Sequence, residues 1–260
     1  MKFIDKSQNE KEINDVVNLL LEDAWNILDN KYIGANYYDG LSKPKYKLKL
    51  EKLFSQQQDN YCCYCMADIS LKNNITLEHI IPQKVNQEEF GKYLNSSEIL
   101  KKNVICKSDF NINEKTIPPL KYPHDIANYN LVASCASKKH CNNHRENKFV
   151  SPFIYDSNIN TTVVYDNAGR IDNEKYNDDI YILGISSDHL IFIRYFWSYI
   201  SHKKVLSLIT EGDIDDFIFE VILKGIFSDN IIDKFTGSPS YKADIFKYKY
   251  FHTYYNQHNT

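Results

Sequence analysis

Four cysteines in two pairs constrain this chain more than any other feature: Cys62 and Cys65 in YCCYC, with two residues between them, and Cys135 and Cys141 in SCASKKHC, with five. Two cysteines on a tight knuckle can aim both sulfurs at one tetrahedral zinc ion, and a second pair closes the coordination shell with no position left for water. Such a site holds structure and does no chemistry of its own. The spacing of the second pair is wider than the usual knuckle and calls for a small loop, and His140 or His144 offers an alternative ligand in place of Cys141. Cys63 adjoins a ligand and is expected to point away from the metal; Cys106 is expected to be a buried thiol.

Redox compartment decides how the cysteines are read. The opening MKFIDKSQNEKE lacks the apolar core and small-residue cleavage site of a secretory signal, so a cytoplasmic location with reduced thiols is expected. Six cysteines there fit metal ligands and buried thiols better than disulfides. The 260 residues, 43% of them hydrophobic, suffice for a substantial core in one large domain or two small ones. Apolar runs such as HLIFIRYFW from His189 are broken by charge well short of the roughly 18 residues a bilayer requires, and no membrane span is expected. A net charge of −3 rules out a uniformly basic coat but not a local basic face. Between Lys101 and Val150 there are nine Lys or Arg against four Asp or Glu, so the positive charge is concentrated on the cysteine-rich segment.

The chain divides into three stretches: a helical segment over 1–58, a core over 59–150 with an insert at about 85–125, and a hairpin and helical region over 151–260. From Glu10 to Asn30 apolar residues recur at three- and four-residue intervals, which predicts an amphipathic helix. A second helix over 45–58 is expected to carry Leu48, Leu50, Leu53 and Phe54 toward the first cysteine pair. The insert should hold a helix around 87–102 and a proline-broken loop in TIPPLKYPHD. NTTVVYDNAGRI reads as a hairpin, followed by helices over 188–210 and 213–227. The last twenty residues hold seven aromatics; interleaved Tyr and Lys suit base stacking, and a packed strand or a partner-binding edge suits them equally.

Between the cysteine pairs lies TLEHIIPQK, an acid beside an imidazole at Glu78 and His79. Phosphodiester hydrolysis needs a base to activate water, a cation to neutralise charge on the phosphate, and a group to orient the base. His79 is the candidate base, because imidazole titrates near neutrality. Glu78 offers a hard oxygen suited to Mg²⁺ or Mn²⁺, and Asn142, directly after Cys141, offers another. Consecutive strand residues face opposite ways, so Glu78 and His79 can serve one site only if the chain bends after them, as IIP permits. Asn130 is placed either to hold the imidazole or to brace backbone. Arg145, one turn after Asn142, together with Lys138, Lys139 and Lys148, could contact phosphate. A zinc-bound fold whose Glu78 and His79 form only a hydrogen-bonded pair stands as the alternative.

Taken together, CCYC, LEHIIPQ, YNLVASC and CNNHRENK resemble the HNH endonucleases. LFSQQQDNYCCYC, MKFIDK and SPF…VVYDNAGRI narrow the resemblance, over roughly residues 50–172, to the Septu-type HNH effectors of bacterial anti-phage systems and some retrons. This resemblance implies an α+β fold with a zinc-bound ββα-metal core, helical N-terminal and α/β C-terminal flanks. It implies His79 as general base, Glu78 and Asn142 around the catalytic Mg²⁺ or Mn²⁺, Asn130 as the structural asparagine, and zinc on the four cysteines. It further implies nucleic acid, DNA foremost, as substrate and a PtuA-type ATPase as partner in an oligomeric complex. Two features depart from the pattern: Glu stands where Asp is commoner, and about fifty residues separate His79 from Asn130. A stand-alone restriction or mobile-element nuclease is the variant reading within the same class.

Overall fold

Helix α1, Glu10–Ile27, forms where the periodicity predicts it and buries Ile13, Val16, Val17, Leu20 and Leu21 along one stripe. The structure is a computed structural model that describes residues 1–27, 37–41, 43–70, 75–110, 117–146 and 148–258; the predicted end of this helix at Asn30 lies outside them. After the single turn α2, Tyr38–Leu41, helix α3, Pro44–Gln57, opens on a proline whose missing N–H costs nothing at that position. It packs Tyr46, Leu50 and Phe54 inward. Leu48, expected on the same face, is 66% exposed, because two positions before Leu50 amount to more than half a helical turn.

Strand β1, Ile75–His79, is followed by a long excursion before its partner appears. The excursion contains α4, Gln87–Ser96, α5, Glu98–Asn103, and the short parallel pair β2, Val104–Ile105, and β3, Tyr122–Pro123. Where one helix was expected over 87–102 there are two. Asn86 and Glu89 form a capping box that starts α4, and extended Ser97 interrupts the run by capping α5 through the Leu100 N–H. Strand β4, Leu131–Cys135, then returns antiparallel to β1, pairing Glu78 with Val132 and His79 with Leu131. All five residues of β4 are buried, and α3 lies against both strands. One helical turn, α6, Asn142–Arg145, follows.

Beyond it come α7, Ile159–Thr162, and the hairpin β5, Val164–Tyr165, with β6, Ile171–Asp172. This hairpin is shorter than NTTVVYDNAGRI suggested, because its first residues wind into α7 instead. Its turn needs Gly169: at φ +78° an added Cβ would sit 2.4 Å from the Ile191 carbonyl oxygen. Helices α8, Asn177–Ile182, α9, Asp188–Ser201, α10, Glu211–Lys224, α11, Asp229–Thr236, α12, Tyr241–Phe246, and α13, Tyr250–His258, complete the chain. Helix α9 ends nine residues before the expected Thr210, since the chain turns after it and Lys204 pairs with Asp213 (2.6 Å) at the start of α10. The aromatic C-terminus is helical rather than a strand or an open edge. Phe251, Tyr254 and Tyr255 share one buried face of α13 that packs on α9. The fold is therefore α+β, and among the described residues no helix is long and apolar enough to cross a membrane.

Candidate metal centre and active site

The four sulfurs of Cys62, Cys65, Cys135 and Cys141 lie within 4.8 Å of one another, and all four residues are buried. Cys62 and Cys141 are 3.8 Å apart, Cys65 and Cys135 3.6 Å. A tetrahedron with Zn–S bonds of about 2.3 Å has edges of about 3.8 Å, whereas a disulfide needs about 2.0 Å. The quartet therefore fits a metal such as zinc. Cys141 holds φ +64°, and Met66, directly after Cys65, holds +65°. L-residues avoid this region, and such strain persists where the surroundings fix it from several sides, as shared coordination would. His140 is not in the quartet: its Nδ1 lies 3.1 Å from Cys141 Sγ while its Nε2 meets the Tyr248 hydroxyl at 3.1 Å, so the ring braces a ligand against the C-terminal helices. His144 bonds the Ile182 carbonyl instead. Cys63 is buried outside the quartet, and buried Cys106 accepts from the Ser108 hydroxyl.

At the other end of β1 the acid and the imidazole meet separate partners. Asn142, at the first position of α6, donates through Nδ2 to Glu78 Oε2, which leaves the amide oxygen and the second carboxylate oxygen as hard donors. Burial raises the Glu78 carboxyl above the ordinary carboxylate range, a penalty that a bound divalent cation would relieve. The Nε2 of His79 lies 2.9 Å from the Asp125 carbonyl oxygen. A carbonyl only accepts, so Nε2 carries the proton and Nδ1 keeps its lone pair. The Tyr38 ring packs edge-on against the imidazole at 4.6 Å, and the Tyr38 N–H bonds the Asp125 carboxylate at 3.3 Å. Asp125 and Tyr38 were not singled out from the sequence: one acts through a backbone carbonyl, which every residue possesses, and the other comes from a helical turn far upstream.

Of the two roles open to Asn130, the structure selects the backbone brace. Fully buried, it accepts from the Ile81 N–H (2.7 Å) and donates to the Ile81 and His124 carbonyls (2.9 and 2.6 Å). It thereby ties the bend after His79 to the residue before Asp125. Its side chain has no hydrogen bond to the imidazole.

Arg145 corrects the sequence reading. It is 1% exposed, with Nη1 donating to the His79 carbonyl (3.0 Å), Nη2 to the Ile80 carbonyl (2.7 Å) and Tyr93 hydroxyl (2.8 Å), and Nε to the Lys148 carbonyl (2.9 Å). A guanidinium so enclosed has no face left for phosphate. It locks α6, which carries Asn142, onto the end of β1, which carries His79. Arg145→Ala should lower unfolding free energy by on the order of 4 kcal/mol, since three carbonyls lose their donors in a dry site, and Arg145→Lys should not restore it, because an ammonium cannot reproduce the fork. Denaturant unfolding measures this, and wild-type stability in both variants would refute the locking role. Lys138, Lys139 and Lys148 are exposed. The first two line a cavity of about 300 Å³ beside Cys135 and His140, at the end of the strand pair away from His79.

Burial also sets an acid limit. It holds the imidazoles of His79, His124 and His189 at about 4, and it lifts the Asp125 carboxyl to about 6. Around pH 5 the unfolded chain binds three histidine protons that the folded chain lacks, while the folded chain keeps one on Asp125 that the unfolded chain releases. Unfolding there takes up about two protons from these four groups, so stability present at pH 7 should fall as pH drops from about 6.5 to 4, by roughly 2–3 kcal/mol per unit at the steepest. Urea unfolding at pH 7, 6 and 5 reads the slope; a flat profile would contradict neutral buried rings.

Compared with family models, curated proteins and solved structures, the chain matches none.

Proposed function

We propose that this chain is a metal-dependent endonuclease of the HNH type that hydrolyses phosphodiester bonds in nucleic acid, DNA foremost. The observation that carries the reading is the imidazole of His79, fixed by the Asp125 carbonyl with Nδ1 free, one residue from a carboxylate that bonds the first residue of α6. In the proposed reaction His79 Nδ1 accepts a proton from water as the water oxygen bonds to phosphorus and the leaving oxygen departs with the electron pair of the broken P–O bond. Although burial holds the free imidazole at about 4, a phosphodiester anion beside the ring favours its protonated form and moves the value back toward neutrality. Mg²⁺ or Mn²⁺, held by Glu78 and Asn142, would neutralise charge on the phosphate and leaving oxygen. Asn130 and Arg145 position the backbone on either side of the base, and exposed Lys148, whose carbonyl accepts from Arg145, is a cation available for phosphate contact at this end, whereas Lys138 and Lys139 lie at the other end of the strand pair.

In the alternative, a zinc-bound nucleic-acid-binding or interaction module without catalysis, Glu78 and His79 were expected to form a hydrogen-bonded pair; their side chains bond Asn142 and the Asp125 carbonyl instead, and the nicking assay decides between the two readings. The role in anti-phage defence beside an ATPase rests on the sequence resemblance and is tested by the neighbouring gene. Nicking of supercoiled plasmid across a Mg²⁺ and Mn²⁺ titration, wild type against His79→Ala, tests the enzyme reading. A wild type inert on DNA and RNA at every metal concentration, with the neighbouring gene's product added, would overturn it.

A further inference from the structure

The five residues between Cys135 and Cys141, more than a zinc knuckle needs, all line the cavity of about 300 Å³ at the end of the strand pair away from His79. Helix α9 contributes His189 to it, and α12 with the residues after it contributes Asp244, Lys247 and Tyr248. The volume reaches the range of small-ligand clefts and exceeds what a trapped water fills. Its charges do not cancel. Asp68 pairs with Lys249 at 2.7 Å and Asp244 with Lys247 at 2.6 Å, so both acids of the lining already have a counter-ion. Lys138 and Lys139, both exposed, make no ion pair among the described residues. The cavity is left with two uncompensated positive charges. It also holds an unused imidazole. The half-buried His189 ring lies 5.1 Å from Phe235 and makes no hydrogen bond among the described residues. Burial, reinforced by Lys139, keeps it near 4, so at neutral pH one ring nitrogen carries a hydrogen that nothing accepts. His140, by contrast, has both nitrogens engaged, with Cys141 and Tyr248.

We propose that this cavity binds a phosphate monoester, either a free nucleotide or the phosphorylated end of a nucleic-acid strand, with Lys138 and Lys139 balancing its charge and His189 donating a hydrogen bond. Charge selects the class. A phosphate monoester carries about −1.5 to −2 near pH 7, whereas a carboxylate or an internal phosphodiester carries a single negative charge. Two ammonium groups without counter-ions match the monoester. Lysine is a point charge on a flexible stem, so two in succession on one loop can both turn toward the phosphate oxygens without the fixed fork of arginine. A concave site also suits a terminal group, since the middle of a continuous strand would have to bring its flanking nucleotides in with it. The width of the second cysteine spacing follows, because the loop it spans carries the two lysines. The cavity shares no residue with the Glu78, His79 and Asn142 cluster, so the proposal stands whether or not the chain cleaves nucleic acid.

Fluorescence anisotropy on the whole chain with its metal, in buffer free of Mg²⁺ and Mn²⁺ so that no cleavage intervenes, tests it. The probes are short internally labelled DNA strands with a phosphate at the 5′ end, at the 3′ end or at neither, with thymidine 5′-monophosphate and thymidine as unlabelled competitors. A phosphorylated probe or competitor should bind at least about tenfold more tightly than its unphosphorylated counterpart, the worth of one charged hydrogen bond. Lys138→Gln with Lys139→Gln should erase that difference and leave the melting temperature in place, since both side chains are on the surface and outside the cysteine quartet. His189→Phe, which keeps a ring beside Phe235 and removes the donor, should shrink the difference without erasing it. Displacement of a phosphorylated strand by the mononucleotide assigns the site to free nucleotides, and strand binding that the mononucleotide leaves untouched assigns it to strand ends. Equal binding of phosphorylated and unphosphorylated probes would overturn the proposal, as would a phosphate preference that survives the loss of both lysines.

Discussion

Replacing His79 by alanine is expected to lower cleavage by about 10²–10⁴-fold, the usual range for a lost general base. On the proposed mechanism the loss should fall on kcat and leave KM nearly unchanged, because the substitution removes the proposed base and leaves the surface lysines in place. Metal content should persist, since His79 is not a member of the cysteine quartet. His79→Gln should be equally inactive: a carboxamide can donate to the Asp125 carbonyl but cannot accept a proton from water near neutral pH. Tyr38→Ala makes a finer test of the same geometry. It removes the ring packed at 4.6 Å against the imidazole and should reduce kcat less than His79→Ala does. A His79→Ala enzyme that nicks plasmid at the wild-type rate, from a preparation freed of host nucleases, would place the base elsewhere.

Stripping the metal is expected to have the largest effect on folding. Structural zinc contributes an apparent 10–16 kcal/mol or so in small zinc domains, against total stabilities of about 5–15 kcal/mol. The quartet joins the knuckle at Cys62–Cys65 to the end of β4 and the start of α6, so its loss frees the strand pair and the Asn142 turn together. Treatment with a strong chelator, or Cys65→Ser, should abolish the cooperative thermal transition of this region and release one zinc per chain by elemental analysis. Cys106→Ala, at a buried thiol outside the quartet, should retain both. A chelated protein that melts at the same temperature as the untreated one would show the sulfurs to be a simple thiol cluster.

What was legible in the sequence is what depends on residue type and short spacing. Four cysteines pointed to their quartet because ligand chemistry is local to the side chain. Glu78 and Asn142, singled out from the sequence, do meet through a hydrogen bond, and the long helices α1, α3 and α10 followed from periodicity within a few residues. Arg145 was misread for a physical reason: helical spacing places it on the face of Asn142, but nothing in the chain states whether that face meets solvent or the carbonyls of His79 and Ile80. Leu48 and the C-terminal aromatics failed similarly, since burial is decided by which neighbour arrives, and α9 arrives beside α13 from fifty residues upstream. Orientation of the imidazole was the least legible, because its partner is a main-chain oxygen.

The pairing of β1 with β4 has a consequence for biosynthesis. Fifty-two residues separate His79 from Leu131, its cross-strand neighbour, and Arg145 must also emerge before α6 can be drawn against the end of β1. Closing such a distant contact is slow compared with winding a local helix. Through more than half of its translation the polypeptide therefore has neither the oriented His79 imidazole nor the complete cysteine quartet. The pairing of β1 with β4 and the docking of α6 can be completed only once residue 145 has been made, so termination before it yields fragments without them.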